Sequence, residues 1–298
     1  MGTIRGPSAP SVDHGEVTVS AGSDDQGKVL VPLRNGTVQW RTLELGRRIA
    51  AGFDLDLVVL NAVRVARAAP LTLPIPMLEG HRETTLDVVE AIGVMTGGLP
   101  VTGAVHVGHD LPQIVEQGVE SYGAEVVVVD ESWLRTGPAP LARSPLDELR
   151  AAVDCPVAVP SGAPLPDPIS TMLVPVARGV HSAAATRIAQ AVANATGAWI
   201  DLLSVVTADD PEAKRDAERE LEARARRTRT VEHVGTWLLE ADSVEDAIVE
   251  QSQYYELTVI GGTRTPRLRR ALLGSTAGTV RTDATNCVVT AWGSGVGD

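Results

Sequence analysis

An internal repeat limits what this chain can fold into, because each copy must bury a core of the same design. The run Val29-Leu30-Val31-Pro32-Leu33, followed by Gly36, returns as Met172-Leu173-Val174-Pro175-Val176, followed by Gly179. A helical pattern follows each run, carried by Leu43, Leu45, Ile49 and Ala50 in the first copy and by Ala184, Ile188, Ala191 and Val192 in the second. Buried strands come next, Leu55 to Val63 and Trp199 to Val206. Further on, Ile114-Val115-Glu116-Gln117 parallels Ile248-Val249-Glu250-Gln251, on helices with acidic starts at Asp110 and Asp242. Aliphatic strands then run from Glu125 to Val129 and from Leu257 to Ile260. Finally, Leu141-Ala142-Arg143-Ser144 parallels Leu272-Leu273-Gly274-Ser275 ahead of a short helix and a last strand.

Each copy therefore reads as five strands alternating with four helices. That alternation implies right-handed crossovers and a parallel sheet covered on both faces. The expected architecture is α/β, with two tandem doubly wound domains, each a five-stranded parallel sheet. The boundaries follow composition. Residues 1–27 are rich in Gly, Ser, Pro and Asp and read as a flexible tail. Domain one spans 28–159 and domain two 169–293. Between them, residues 160–168 hold four prolines in nine positions, which argues against helix and central strand and marks a linker. One large doubly wound domain is the alternative.

Composition sets the outer limits. Of 298 residues, 44% are hydrophobic and 21% charged, which excludes a mainly disordered chain. Aromatics make up only 3%, so the core must be aliphatic, as in buried parallel strands. The net charge of -12 argues against nucleic acid as a partner. Two cysteines, Cys155 and Cys287, form no disulfide framework. No apolar run reaches the roughly 18 residues of a membrane helix, and no basic-then-apolar leader is evident. The expectation is a soluble cytoplasmic protein without direct membrane insertion. Lysine occurs only at Lys28 and Lys214, a usage that suggests a GC-rich genome and a salt-adapted microbe.

The most informative local feature follows the strand that ends at Ile260. Gly261-Gly262-Thr263-Arg264 opens a loop, and Gly274-Ser275-Thr276 opens a helix. Glycine at a strand's C-terminal end lets backbone approach a ligand, and free N–H groups at a helix start suit an anion. Such a crevice is where open α/β sheets bind ligands. Helix capping by Ser275 accounts for part of the same pattern without a ligand.

The whole arrangement resembles the universal stress protein family. Its signature is glycine, two residues, glycine, nine residues, then glycine and Ser or Thr, and Gly261, Gly274 and Ser275 fit that spacing. The Val-Pro opening strand and Cys155-Pro156-Val157 agree with the family pattern. The resemblance covers roughly 28–292 as two copies and implies a Rossmann-like, flavodoxin-like sheet of the adenine nucleotide alpha hydrolase type. It also implies a site, with Pro175, Val176, Ala177, Val205, Gly261, Gly262, Arg264, Gly274, Ser275 and Thr276 as the pocket.

ATP is the ligand of those family members that bind one. They contact the nucleoside through an Asp two residues after the first strand's proline. That position is Ala177 in copy two and Arg34 in copy one, and the signature's second glycine is Arg264. Arg264 either adds a phosphate donor or obstructs the loop. Copy one has Asp130, Trp133 and Arg143 at its glycine positions and reads as degenerate. The resemblance thus implies a stress-response or regulatory binding protein without the usual ATP site. Its alternatives are weak nucleotide binding and hydrolysis in domain two, and regulation of an amino-acid or cation transporter. In single-copy relatives two chains pair through their last strands, so pairing between the tandem copies is expected here, with a homodimer as a further possibility.

Other candidates carry less. His106 and His109 have a spacing that suits a metal on a helix, but they fall where a strand meets a helix and read as exposed loop residues. His181 reads as a surface residue at a helix start. Arg264, Arg267, Arg269 and Arg270 form either a solvated helix face or a phosphate-attracting rim. Asp209 to Arg229 reads as a solvent-facing helix laced by i,i+4 pairs among Glu218, Glu220, Glu222 and Arg224. Both cysteines read as buried and inert. No nucleophile elbow, HExxH or Walker lysine pattern occurs, so no catalytic residues and no metal site are assigned.

Overall fold

Aliphatic strands buried on both faces organise each half of the molecule. The computed structural model describes residues 12–18, 26–96, 98–135, 144–207, 210–262 and 276–294. The chain divides into two compact units, Met1–Ala50 with Leu55–Val153, and Ala51–Asp54 with Asp154–Asp298.

Unit one contains β1 (Val12–Thr18), β2 (Lys28–Arg34), α1 (Trp40–Phe53), β3 (Asp56–Arg64), α2 (Ile75–Thr96), β4 (Val101–Gly108), α3 (Leu111–Tyr122), β5 (Ala124–Val128), a 3₁₀ turn at Glu131–Leu134 and α4 (Pro145–Ala152). Its strands lie in the order β1-β4-β3-β2-β5. All neighbours are parallel except β1, which runs antiparallel to β4. Residues 29–33 and 56–63 are buried almost without interruption, as a sheet covered on both faces requires. Helix α1 buries Leu43, Leu45, Ile49 and Ala50. Helix α3 ends where Gly123 takes the left-handed conformation, φ 62°, and its N–H reaches the Val119 carbonyl.

One expectation for this half is corrected. The stretch read as a flexible tail contains β1. Its order comes from the open edge of β4, whose backbone groups it pairs, and not from any local pattern of its own.

Unit two contains β6 (Val157–Gly162), β7 (Thr171–Pro175), α5 (Val180–Thr196), β8 (Trp199–Val206), α6 (Pro211–Arg227), β9 (Val234–Glu240), α7 (Val244–Ser252), β10 (Leu257–Gly261), α8 (Thr276–Asp283) and β11 (Cys287–Trp292). The order is β6-β11-β10-β7-β8-β9. The five strands of the second copy are mutually parallel, and β6 runs antiparallel to β11. Pro160, Ser161 and Gly162, read as linker, are thus strand residues opposite Val289, Val288 and Cys287. An antiparallel ladder bonds only alternate residues across a given pair, so a proline without an N–H can be accommodated. Helix α7 is capped by Ser243, whose Oγ accepts from the Asp246 N–H at 3.2 Å, and not by the Asp242 anticipated from sequence.

Two polar contacts brace the units internally. In unit one, fully buried Asn61 accepts from the Gly36 N–H at 2.8 Å and donates to Thr85 Oγ1 at 3.1 Å. In unit two, the Tyr255 hydroxyl donates to Asp201 Oδ2 at 2.7 Å. Burial, and then that carboxylate, pushes the Tyr255 phenol up from its ordinary value.

Two outcomes follow. Trp133 is completely buried, so Trp133→Ala should lower unfolding free energy in urea by about 3–5 kcal/mol. In an ultraviolet titration of the folded protein, the Tyr255 phenol should ionise above the usual value near 10. Tyr255→Phe should take one phenol out of the late part of the titration. The phenol is held neutral, so its stabilisation is complete below the unfolded value and is lost as pH rises through the raised one.

Candidate functional site

In unit two the copy's strands read 3-2-1-4-5 across the sheet, and the order reverses between β7 and β10. The crossovers from these two strands leave on opposite faces, which opens a crevice beyond their C-terminal ends. A cavity of about 280 Å³ lies there. Pro175, Val176, Ala177, Val205, Gly261, Gly262 and Thr276 all line it, together in one place. Arg264, Gly274 and Ser275, with the rest of the arginine run, fall outside the described residues.

The loop after β7 builds one wall. The Val176 N–H donates to the Leu203 carbonyl at 2.7 Å, carrying the β7–β8 ladder one step past Pro175. The Ala177 N–H donates to Ser182 Oγ at 3.0 Å, folding the loop onto the first turn of α5. Gly179, at the N-cap of α5, has φ 111°, a conformation that a side chain disfavours. Arg224 of α6 approaches the Gly179 carbonyl at 3.5 Å and is held by Glu220 at 2.7 Å. At 5% exposure it is no solvent-facing residue, so the reading of this helix as wholly surface is corrected on its inner side.

The two glycines have a tighter role than a turn. A Cβ on Gly261 would lie 2.7 Å from the Ser182 nitrogen and 2.8 Å from the His181 carbonyl carbon. A Cβ on Gly262 would lie 2.0 Å from Trp292 Nε1. The space that glycine leaves is thus taken by α5 and by β11. His181 also lines the cavity, half-buried, and its Nδ1 accepts from the Gly293 N–H at 3.1 Å. That bond leaves Nε2 as the protonated nitrogen of the neutral ring.

Most of the wall is apolar. Leu203 and Val205 from alternate positions of β8, Val244 and Ile248 one turn apart on α7, and Ile260 complete it. Of these, Val205 was expected in the pocket from the resemblance; nothing in the apolar periodicity separated Leu203, Val244, Ile248 and Ile260 from ordinary core. The polar side chains of the wall have protein partners. Thr276 Oγ1 donates to Glu245 Oε1 at 2.7 Å, and Arg178 meets Asp216 at 2.5 Å. Arg219 and then Arg178 hold the Asp216 carboxyl below its usual range. The Ala177 side chain presents no acceptor, and Glu245 places a carboxylate beside Thr276.

The corresponding end of unit one is built otherwise. Arg34 donates to Ser132 Oγ at 2.6 Å, linking the end of β2 to the turn after β5. Asp130 accepts from the Ser132 N–H at 2.7 Å and caps that turn. Trp133 packs inward from it.

The remaining candidates separate from both places. His106 is 2% exposed inside β4, with its ring 6.0 Å from that of Tyr122, because β4 runs on to Gly108. It is not an exposed loop residue. Among the described residues no group of three or more His, Cys, Asp or Glu is placed to hold a metal. Cys155 and Cys287 are buried, and burial pushes the Cys155 thiol up to about 12. No helix among the described residues is long and apolar enough to cross a membrane.

No family model matches the chain, and no curated protein matches it in sequence. Solved structures do. A putative universal stress protein from Pseudomonas aeruginosa UCBPP-PA14 superposes with a TM-score of 0.56 at 18% identity, over 90% of this chain and 93% of that one. A universal stress protein from Archaeoglobus fulgidus gives 0.56 at 14% identity, over 90% and 97%. A functionally unknown protein from P. aeruginosa PAO1 gives 0.55 at 19%, over 91% and 94%. The chain has the α/β fold of universal stress proteins, in two copies.

Gly261→Val tests the packing described here. The added branches meet the backbone of α5, so the variant should lose about 1–3 kcal/mol in chemical denaturation.

Proposed function

We propose that the chain is a tandem universal stress protein that works by binding, with the cavity of unit two as its ligand site and no catalytic step of its own. The contrast between the two strand switch points carries this reading. One holds a cavity lined by the family-like loop residues, while its counterpart is tied by Arg34 and Ser132. The apolar wall and the committed polar groups favour a small ligand with a largely apolar body. At about 280 Å³ the cavity lies near the small end of the usual range for such sites.

Nucleotide binding with slow hydrolysis is the second reading, favoured by Gly261-Gly262 and by the start of α5. Ala177 and Glu245 count against it, since ribose finds no side-chain acceptor at 177 and a carboxylate stands behind Thr276, where phosphate would approach. A stress-response role in the cytoplasm is the cellular reading, and its alternative, consistent with the Val174-Pro175-Val176-Ala177 opening, is regulation of an amino-acid or cation transporter.

Calorimetric titration separates the ligands. With ATP, AMP and cyclic AMP, with and without magnesium, no saturable heat is expected up to about 1 mM. Micromolar nucleotide binding that Val205→Trp abolishes would establish the second reading. In a ligand-observed NMR screen of small apolar fragments, the wild type should give hits that Val205→Trp loses.

A further inference from the structure

Strand β9 ends the strand order of unit two, and among the described residues nothing pairs with its outer edge. The third strand of the first copy, β4, is paired on that side by β1. The ladder to β8 shows which groups β9 leaves open. The Ile200 N–H donates to the His233 carbonyl at 3.0 Å, and the Ala241 N–H donates to the Val206 carbonyl at 3.0 Å. In a parallel ladder the alternation between those points turns odd residues toward β8. Val234, Thr236, Leu238 and Glu240 therefore direct their N–H and C=O groups outward. Natural sheets blunt such edges with lysine, proline, bulges or charge. Within β9 the sole charge is Glu240, at its end. Trp237, at its centre, is 60% exposed, and Trp199 at the start of β8 is 57% exposed.

We propose that β9 joins β9 of a second copy of the chain, antiparallel, about a two-fold axis at Trp237. That register pairs Thr236 with Leu238 and Val234 with Glu240, so every outward N–H and C=O of the strand finds a partner. It sets Glu240 beside Val234. A register centred on residue 236 would instead oppose Glu240 to Glu232, and one centred on 238 would shorten the overlap. The two Trp237 residues become a non-hydrogen-bonded pair with Cα atoms about 4.5 Å apart, so their rings meet. Helix α6 packs over β8 and β9. With strands about 4.8 Å apart, the two α6 helices come to about 10 Å, the distance at which helices pack. They run antiparallel, which sets Asp210 and Glu212 at one start toward Arg226 and Arg227 at the other end. A self-complementary edge of this kind closes as a dimer.

Sedimentation of the full chain across a concentration series is the test, with amide exchange followed at β9. Self-association is expected, with slower exchange at Thr236 and Leu238 as dimer forms. Thr236→Pro removes one outward N–H without touching the β8 ladder. Trp237→Lys changes an exposed side chain and opposes two cations across the axis. Each should weaken association by about tenfold or more while leaving the circular dichroism spectrum unchanged. If the proline variant fails to fold, the lysine variant alone decides. A chain that stays monomeric throughout overturns the proposal, and so does a dimer whose affinity Trp237→Lys leaves unaltered.

Discussion

Burial of a parallel strand on both faces is the constraint on which the rest of this structure depends. Strands such as β2, β3 and β8 have no wet face, so helices must cover both sides, and the crossovers between parallel strands supply them. Winding outward in two directions from the first strand of a copy creates a place where the directions part. In unit two that place lies between β7 and β10, and the cavity follows from it. The chain needs few aromatics, because Val, Leu, Ile and Ala fill a thin layer between sheet and helix.

The two copies use the same place differently. In unit two the β7 loop is pulled onto α5 through Ala177 and Ser182, which leaves a hollow bounded by Val205, Ile248 and Ile260. In unit one Arg34 spans to Ser132, Asp130 caps the turn and Trp133 occupies the core beneath. Asp130 and Trp133, at two of the glycine positions of copy one, are thus structural members, the first hydrogen-bonded and the second buried. A fold with two similar halves lets one half line a hollow with its loop residues while the other ties the same strand ends together through Arg34 and Ser132.

Much of the fold was legible from residues alone. The blocks Val29–Leu33 and Met172–Val176 located the first strand of each copy, and Ala184, Ile188, Ala191 and Val192 the inner face of α5. Strand β8 matched its expected span, Trp199 to Val206. Strand β1 was not legible because its order comes from the edge of β4, a distant partner. Pro160 misled because a proline cluster was read as loop throughout, whereas its first member lies within β6 opposite Val289. His106 misled because the end of β4 was placed too early. For the cavity, the loop residues from Pro175 to Ala177 and the glycines were readable by resemblance. Val244, Ile248 and Leu203 were not, since an apolar wall and an apolar core share one periodicity. Arg224 looked like surface because its neighbours on α6 are charged, yet it turns inward toward Gly179.

Gly261 and Gly262 carry one last implication, for how such motifs persist through descent. Each is held by packing, against the first turn of α5 and against Trp292, apart from any molecule that the crevice receives. Purifying selection on foldability alone would keep both glycines after a lineage had abandoned its ancestral ligand. A glycine signature of this sort is a record of architecture first, and it can outlive the chemistry for which it is usually read.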